Sequence, residues 1–357
     1  MKKHNFSAGP CILPEQVLKE ASESVLNFNN DNLSLIEISH RSKPFVEVME
    51  KAIKLVRNLL NVPENYAILF LQGGASLEFL MTPYNLLSLE GICGYINTGA
   101  WSEKALKEAK KLGEVLTVGD SSDKNYNYIP KNLIIPENLD YLHYTSNNTI
   151  YGTQFKAYPE TNNTLVCDMS SDIFSKKIDV SKYGLIYAGA QKNMGPAGVT
   201  LVVIKENILN KVSRNIPTML NYRSYINSGS MTNTPPVFSV YTTLLNLRWI
   251  ESQGGIEELE KRNIKKAELL YNEIDRNIFF KGYAAKEDRS SMNVTFELTN
   301  ENLSNNFNQI WENNNISGLK GHRSVGGYRA SIYNALPIES VKVLVDCMQK
   351  FEKQNKK

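Results

Sequence analysis

The stretch Tyr183–Ile204, YGLIYAGAQKNMGPAGVTLVVI, decides the reading of the fold. YGLIYA and VTLVVI are continuous apolar runs, short enough to be strands buried on both faces. Between them AGAQKNMGPAG is mostly Gly, Ala and Pro around one lysine, Lys192. Working outward, YAILFL, GICGYIN, YLHYTS and TLVCDMS are further strand-length apolar runs. GGASLEFLMTPYNLL reads as a turn entering a helix, and WSEKALKEAKKLG as another helix. A helix is expected from Pro14–Glu15, and a second in SKPFVEVMEKAIKLVRNLLNV, with Ser42 as its cap and Pro44 in its first turn. Strands alternating with helices predict an α/β fold with a mainly parallel sheet covered on both faces. Ligands of such sheets bind at the carboxyl ends of the strands. After the helical TPPVFSVYTTLLNLRWIES, Gly254–Gly255 breaks the chain. From about residue 280 the pattern changes to alternating strands, SMNVTFEL and GYRASIYNAL, and a final helix, SVKVLVDCMQKFEKQ. The expected division is a large unit, 16–255, and a smaller α+β unit, 1–15 plus 256–357.

At 357 residues and 42% hydrophobic content, the chain can bury two cores. Its formal net charge of +3 is too balanced for a nucleic-acid binder, so anion binding must come from local clusters. No apolar run is long enough to span a membrane. The start, MKKHNFSAGPCILP, lacks the apolar core of a signal peptide. Cys11, Cys93, Cys167 and Cys347 are scattered, with neither CxxC nor metal-ligand spacing. Reduced thiols in a cytoplasmic, metal-free protein follow.

A lysine in a Gly/Ala-rich turn has three readings. It snorkels to solvent, it binds an anion, or it forms a Schiff base. No GxxxxGK[ST] is present, which removes the P-loop form of the second reading. The third needs a partly desolvated amine with a lowered pKa. Small neighbours (Ala188, Gly189, Ala190, Gly195) would leave room for a flat ring. A pyridoxal phosphate ring also needs a carboxylate for its nitrogen. Asp168, ending the strand TLVCD, is the candidate, against the plainer reading of a cap on the SSD turn. A phosphate cradle is offered by QGGASLEF, where Gly73–Gly74 precede the N–H groups of Ala75 and Ser76 at a helix start. Trp101 stands where it either stacks on a ring or staples its helix.

FSAGPCILP, SHRSKPF, QGGASLEF, DMSSDIFSKKIDVSKYGLIYAGAQKNMGPAG, SGSMTNTPP and KGHRSVGGYRASIYNA, in this order, closely resemble the phosphoserine aminotransferase family, within the class V aminotransferases of pyridoxal phosphate fold type I. The resemblance covers essentially the whole chain. It implies a seven-stranded-type sheet in the large unit and pyridoxal 5′-phosphate as cofactor. By resemblance, Lys192 carries the cofactor and acts as base and acid. Asp168 pairs with the ring nitrogen, Trp101 stacks on the ring, and Thr149 meets its phenolic oxygen side. Ala75, Ser76 and Gln191 hold the phosphate, joined by Asn233 and Thr234 from the other subunit of a homodimer. Many members have Gly-Arg at Ala75–Ser76, so a guanidinium contact is replaced here by a hydroxyl and backbone donors. Some have Ser at Ala8.

The implied substrates are anions: L-glutamate and 3-phosphohydroxypyruvate, giving 2-oxoglutarate and O-phospho-L-serine with ping-pong kinetics, and in some members the related vitamin B6 intermediate. Lys320, His322, Arg323 and Arg329 crowd into KGHRSVGGYR, and His40 and Arg41 precede a helix start. The resemblance implies that Arg329 clamps the α-carboxylate. His322 and Arg323, from the neighbouring subunit, take the phosphate or distal carboxylate, helped by Arg41. A desulfurase would need a nucleophilic cysteine on a mobile loop, and none of the four fits well. Alanine–glyoxylate chemistry would not need the His322–Arg323 cluster. A non-catalytic cofactor binder would not need the dianion pocket.

Overall fold

The structure, a computed structural model, describes residues 3–356. Seven strands form the main sheet: β1 Tyr66–Leu71, β2 Ile92–Asn97, β3 Glu114–Asp120, β4 Leu142–Thr145, β5 Leu165–Asp168, β6 Leu185–Gly189 and β7 Thr200–Lys205. Their spatial order is β1-β7-β6-β5-β4-β2-β3. Only β7 runs antiparallel, against both β1 and β6. The opening stretch is therefore a strand, a turn and a returning strand, with Lys192 in the turn. Thr145 pairs with Asp168, and Asp168 with Tyr187, so β4 and β5 end level with each other at one sheet edge and β6 runs two residues further, to Gly189.

The helices are α1 Glu15–Leu26, α2 Lys43–Leu60, α3 Gly74–Leu86, α4 Ala100–Ala109, α5 Val237–Ser252, α6 Gly255–Arg276, α7 Ser304–Asn313 and α8 Ile338–Asn355, besides a short helix at Tyr222–Asn227. Period-2 alternation sorts the sheet residues. Ile68, Phe70, Leu201 and Val203 pack with α2 and α5 on one face. Leu69, Leu71, Val202 and Ile204 pack with α3 and α4 on the other. Both faces are thus buried, which is why these strands read as unbroken apolar runs.

A separate core gathers Phe6 with residues of α6, α7 and α8 around three antiparallel strands, β8 Phe280–Gly282, β9 Asn293–Leu298 and β10 Tyr328–Ser331. The N-terminal segment joins this core because His4–Asn5 pairs with Ile316–Ser317.

Two details differ from the sequence reading. The edge strand β3, EVLTVGD, has no buried residue, so it lacked the apolar signature of its neighbours. Ser42 does occupy the N-cap of α2, but its hydroxyl donates to the Ser39 carbonyl at 2.7 Å instead of capping.

Candidate functional site

At the carboxyl edge of the sheet lies a cavity of about 300 Å3. Its walls include Ala75, Ser76, Trp101, Thr149, Asp168, Gln191, Lys192, His322 and Arg329. A more open groove of about 610 Å3, lined by Asp140, Glu160, Asn163 and Lys211, sits at the opposite ends of the strands and contains none of the expected residues.

Lys192 is 8% exposed. Its amine donates to the Thr149 hydroxyl at 2.7 Å. Burial lowers its pKa to about 8, the Asp168 carboxylate opposes that, and Arg329 adds to it. A sizeable fraction of free amine therefore exists near neutral pH, as a nucleophilic lysine requires. The fixed turn comes from local bonds: the N–H groups of Lys192 and Gly195 both donate to the Ala190 carbonyl, at 2.7 and 2.8 Å.

Asp168 is 3% exposed and ends β5. The Ser170 N–H donates to its carboxylate at 2.9 Å. Burial pushes its pKa above the ordinary carboxylate range, while Ser170 and the charge of Lys192 pull it back.

The small residues around Lys192 have a different purpose from the one expected. A Cβ at Gly189 would lie 2.6 Å from the Gln191 Oε1, and one at Gly195 would lie 2.4 Å from the Thr243 hydroxyl. Ala188 and Ala190 belong to the α2/α5 core. Small size seats Gln191 and brings α5 close to the turn. It does not hollow out space beside the amine.

Gly73 precedes α3 with φ +88°, and a Cβ there would meet Leu77 at 2.6 Å, so only glycine makes this turn. Ala75 and Ser76 follow in the first turn of the helix, where N–H groups lack intrahelical partners and favour an anion. Among the described residues, the buried indole N–H of Trp101, in the first turn of α4, and the hydroxyl of Thr145 on the cavity wall have no partner. Unpartnered polar groups lining the cavity fit a polar ligand that completes them. The amine, carboxylate, aromatic face and helix start fit the parts of a pyridoxal phosphate molecule.

Arg329, on β10, donates to the Thr149 carbonyl at 3.4 Å, and its Nε has no partner among the described residues. His322 lines the same cavity. The family resemblance implied that His322 comes from a neighbouring subunit. Here the glycine-punctuated loop, closed by a Gly321 N–H bond to the Gly327 carbonyl at 2.8 Å, brings it to its own chain's cavity. Burial lowers the His322 pKa, and Arg329, Arg323 and Lys104 lower it further. The lowered pKa favours the neutral imidazole of His322, and the arginines beside it carry the positive charge.

Five expected residues do not line the cavity: His40, Arg41, Asn233, Thr234 and Arg323. His40 and Arg41 bond to each other on the exposed stretch before α2. The Thr234 carbonyl accepts from Gln72, next to the Gly73 turn, at 2.9 Å.

Sequence reasoning missed Thr145, Ser170 and Glu78. Ser170, within two residues of Asp168 in DMSSD, was the most readable of them. Glu78 is fully buried in α3, and the Tyr222 hydroxyl donates to it at 2.6 Å. Burial raises its pKa to about 8. Cys11, whose thiol donates to the Lys192 carbonyl at 2.7 Å, is the cysteine nearest the turn. Burial pushes its pKa up to about 12, which disfavours the thiolate a nucleophile needs.

Fold and site together define an aminotransferase of class V: residues 3–344 match the family Aminotransferase class-V, and the chain belongs to it. Its place within the class is with the phosphoserine aminotransferases. It is 59% identical over 353 residues to the phosphoserine aminotransferase of Flavobacterium psychrophilum, covering 99% of both chains. The solved phosphoserine aminotransferase of Bacillus circulans subsp. alkalophilus superposes with a TM-score of 0.96 at 44% identity, covering 99% of both chains. A pyridoxal-phosphate-bound phosphoserine aminotransferase from Trichomonas vaginalis superposes with a TM-score of 0.93 at 36% identity, over 98% of this chain and all of the other.

Proposed function

We propose that this chain transfers the amino group of L-glutamate to 3-phosphohydroxypyruvate, giving 2-oxoglutarate and O-phospho-L-serine, with pyridoxal 5′-phosphate as cofactor. The observation that carries the reading is a desolvated Lys192 amine, bonded to Thr149, sharing one cavity with Asp168 and Arg329. Bound cofactor supplies an electron sink for the substrate's α-carbon. Lys192 is its covalent anchor, and its free Nζ takes the substrate α-proton as base and returns it as acid. Asp168 would hold the ring nitrogen in its protonated, electron-withdrawing form. The ionised carboxylate this needs is costly in its buried place, and the ring's positive charge offsets that cost.

Gln191, Ser76 and the Ala75 N–H would hold the cofactor phosphate, Trp101 would stack on its ring, and Thr149, already bonded to the Lys192 amine, would also meet the ring's phenolic oxygen side. Arg329 grips the α-carboxylate, with its planar fork suited to two oxygens. His322 and Arg323 receive the distal anion, phosphate or carboxylate in turn. A homodimer completes the site, with Asn233 and Thr234 reaching the cofactor phosphate across the interface and His40 and Arg41 adding cationic surface. Residues 16–255 act as the cofactor-binding unit and 1–15 plus 256–357 as the substrate-side unit. The chain works in the cytoplasm, in serine synthesis, and the same anion pocket admits the longer phosphorylated acid of vitamin B6 synthesis. Among the described residues no helix is long and apolar enough to cross a membrane.

Sedimentation tests the dimer. A coupled assay comparing 3-phosphohydroxypyruvate with glyoxylate tests the substrate. Preference for glyoxylate would overturn the assignment.

A further inference from the structure

Lys266 lies in α6, and it is 2% exposed. Its neighbours Ala267 and Leu270 belong to the small-unit core. Among the described residues no carboxylate pairs with it. Instead its amine donates to three backbone carbonyls, of Ile332 at 2.9 Å, Tyr333 at 2.7 Å and Leu336 at 3.1 Å. All three N–H bonds of the ammonium are thereby used on one turn. A buried cation without a counter-ion is costly, and an apolar side chain would fill this core position at less cost.

The turn it holds follows β10, the strand that carries Arg329. One of its residues bonds to a wall of the cavity and another to the lysine turn. The Tyr333 hydroxyl donates to the Ala8 carbonyl at 2.8 Å and accepts from Asn293 at 3.0 Å. The Asn334 N–H donates to the Asn193 side chain, next to Lys192, at 3.0 Å. Asn263, one helical turn before Lys266, donates to the Asn334 side chain at 2.8 Å. Ala8, Lys192 and Arg329 all line the cavity. One turn thus ties together the N-terminal wall, the lysine turn and the arginine strand, and Lys266 fixes that turn from inside.

We propose that Lys266 is a positioning residue for the reaction: by clamping turn 332–336 it sets, through Tyr333 and Asn334, the distance between the Lys192 turn, the Ala8 wall and Arg329. The proposal rests on reading this cavity as the transamination site. The groups acting on the Lys266 charge are Cys11 from the N-terminal segment and Arg262 on its own helix, and burial lowers its pKa to about 7. A neutral amine has two N–H bonds for three carbonyls, so the clamp weakens as pH rises.

The test uses holoenzyme carrying Lys266→Met or Tyr333→Phe. Two quantities are read: the glutamate KM between about pH 6 and about pH 9, and, without substrate, the pH midpoint of the absorbance of cofactor bound at Lys192. Both variants should keep the cofactor, shift that midpoint, and raise the glutamate KM about tenfold through misplacement of the arginine. Lys266→Met should also flatten the pH dependence of KM. If Lys266→Met folds with a lower Tm but leaves KM, its pH dependence and the midpoint unchanged, the lysine is only structural and the proposal fails. If that variant does not fold, Tyr333→Phe decides, and unchanged values there overturn the proposal. A shifted midpoint in a protein that does not accept glutamate would sustain the clamp and sink the substrate reading.

Discussion

Gly189→Ala separates cofactor binding from stability. Gly189 ends β6, and its N–H donates to the Ser170 hydroxyl at 3.1 Å, a bond alanine keeps. The added methyl would lie 2.6 Å from the Gln191 Oε1, 3.1 Å from its Nε2 and 3.2 Å from its Cδ. The obstructed atoms are the end of a flexible side chain, so the amide swings away and the backbone stays. The fold should lose little, within about 1 kcal/mol. Cofactor binding should lose the bond from the Gln191 amide to the phosphate. A hydrogen bond to a charged group contributes about 1.5–3 kcal/mol. At about 1.4 kcal/mol per tenfold, the cofactor Kd should rise about 10- to 150-fold. Absorbance titration of the cofactor-free protein measures the Kd, and a melting curve measures stability. Unchanged affinity would refute the role of Gln191. A variant that melts far below the parent would refute the claim that its side chain yields.

Lys192→Ala should abolish turnover and the cofactor-lysine absorbance; normal transamination by that variant would end the assignment. Arg329→Ala should raise the glutamate KM while cofactor binding persists, and loss of cofactor with unchanged KM would reverse the roles. In cofactor-free protein, Lys192 binds its proton less tightly folded (about 8) than its ordinary value of 10.5. Its contribution to stability therefore rises with pH between those values, and Lys192→Met should remove that rise from denaturant titrations. Glu78 binds its proton more tightly folded (about 8 against 4.5), so its contribution falls as pH rises through that window. Glu78→Gln should flatten the fall, and an unaltered pH profile would show that this acid is not held neutral.

Legibility followed burial. Strands covered on both faces announced themselves as apolar runs, and Asp168 was readable because it ends such a run and Lys192 because it sits in the turn between two of them. β3 was not, because its residues are at most half-buried at the sheet edge. The glycines and alanines of AGAQKNMGPAG were legible as a constraint but not in purpose. The contacts they permit come from Gln191 in the turn itself and from Thr243, 48 positions after Gly195. Lys266, in KKAELL, looks like one of several lysines on a solvated helix face. Only the fold shows that this one turns inward to three carbonyls. Glu78 likewise looks like a surface residue until Tyr222, far along the chain, is placed over it. His322 was readable as an anion-site residue. Which chain's cavity it enters depends on how its glycines fold the loop, and composition does not encode that.

The most direct measurement follows the absorbance of the purified holoenzyme through two additions. Glutamate should convert the band of cofactor held by Lys192 to that of its amino form. Subsequent 3-phosphohydroxypyruvate should restore the original band with one equivalent of O-phospho-L-serine formed. A band that ignores glutamate, or that glyoxylate restores and 3-phosphohydroxypyruvate does not, would contradict the account.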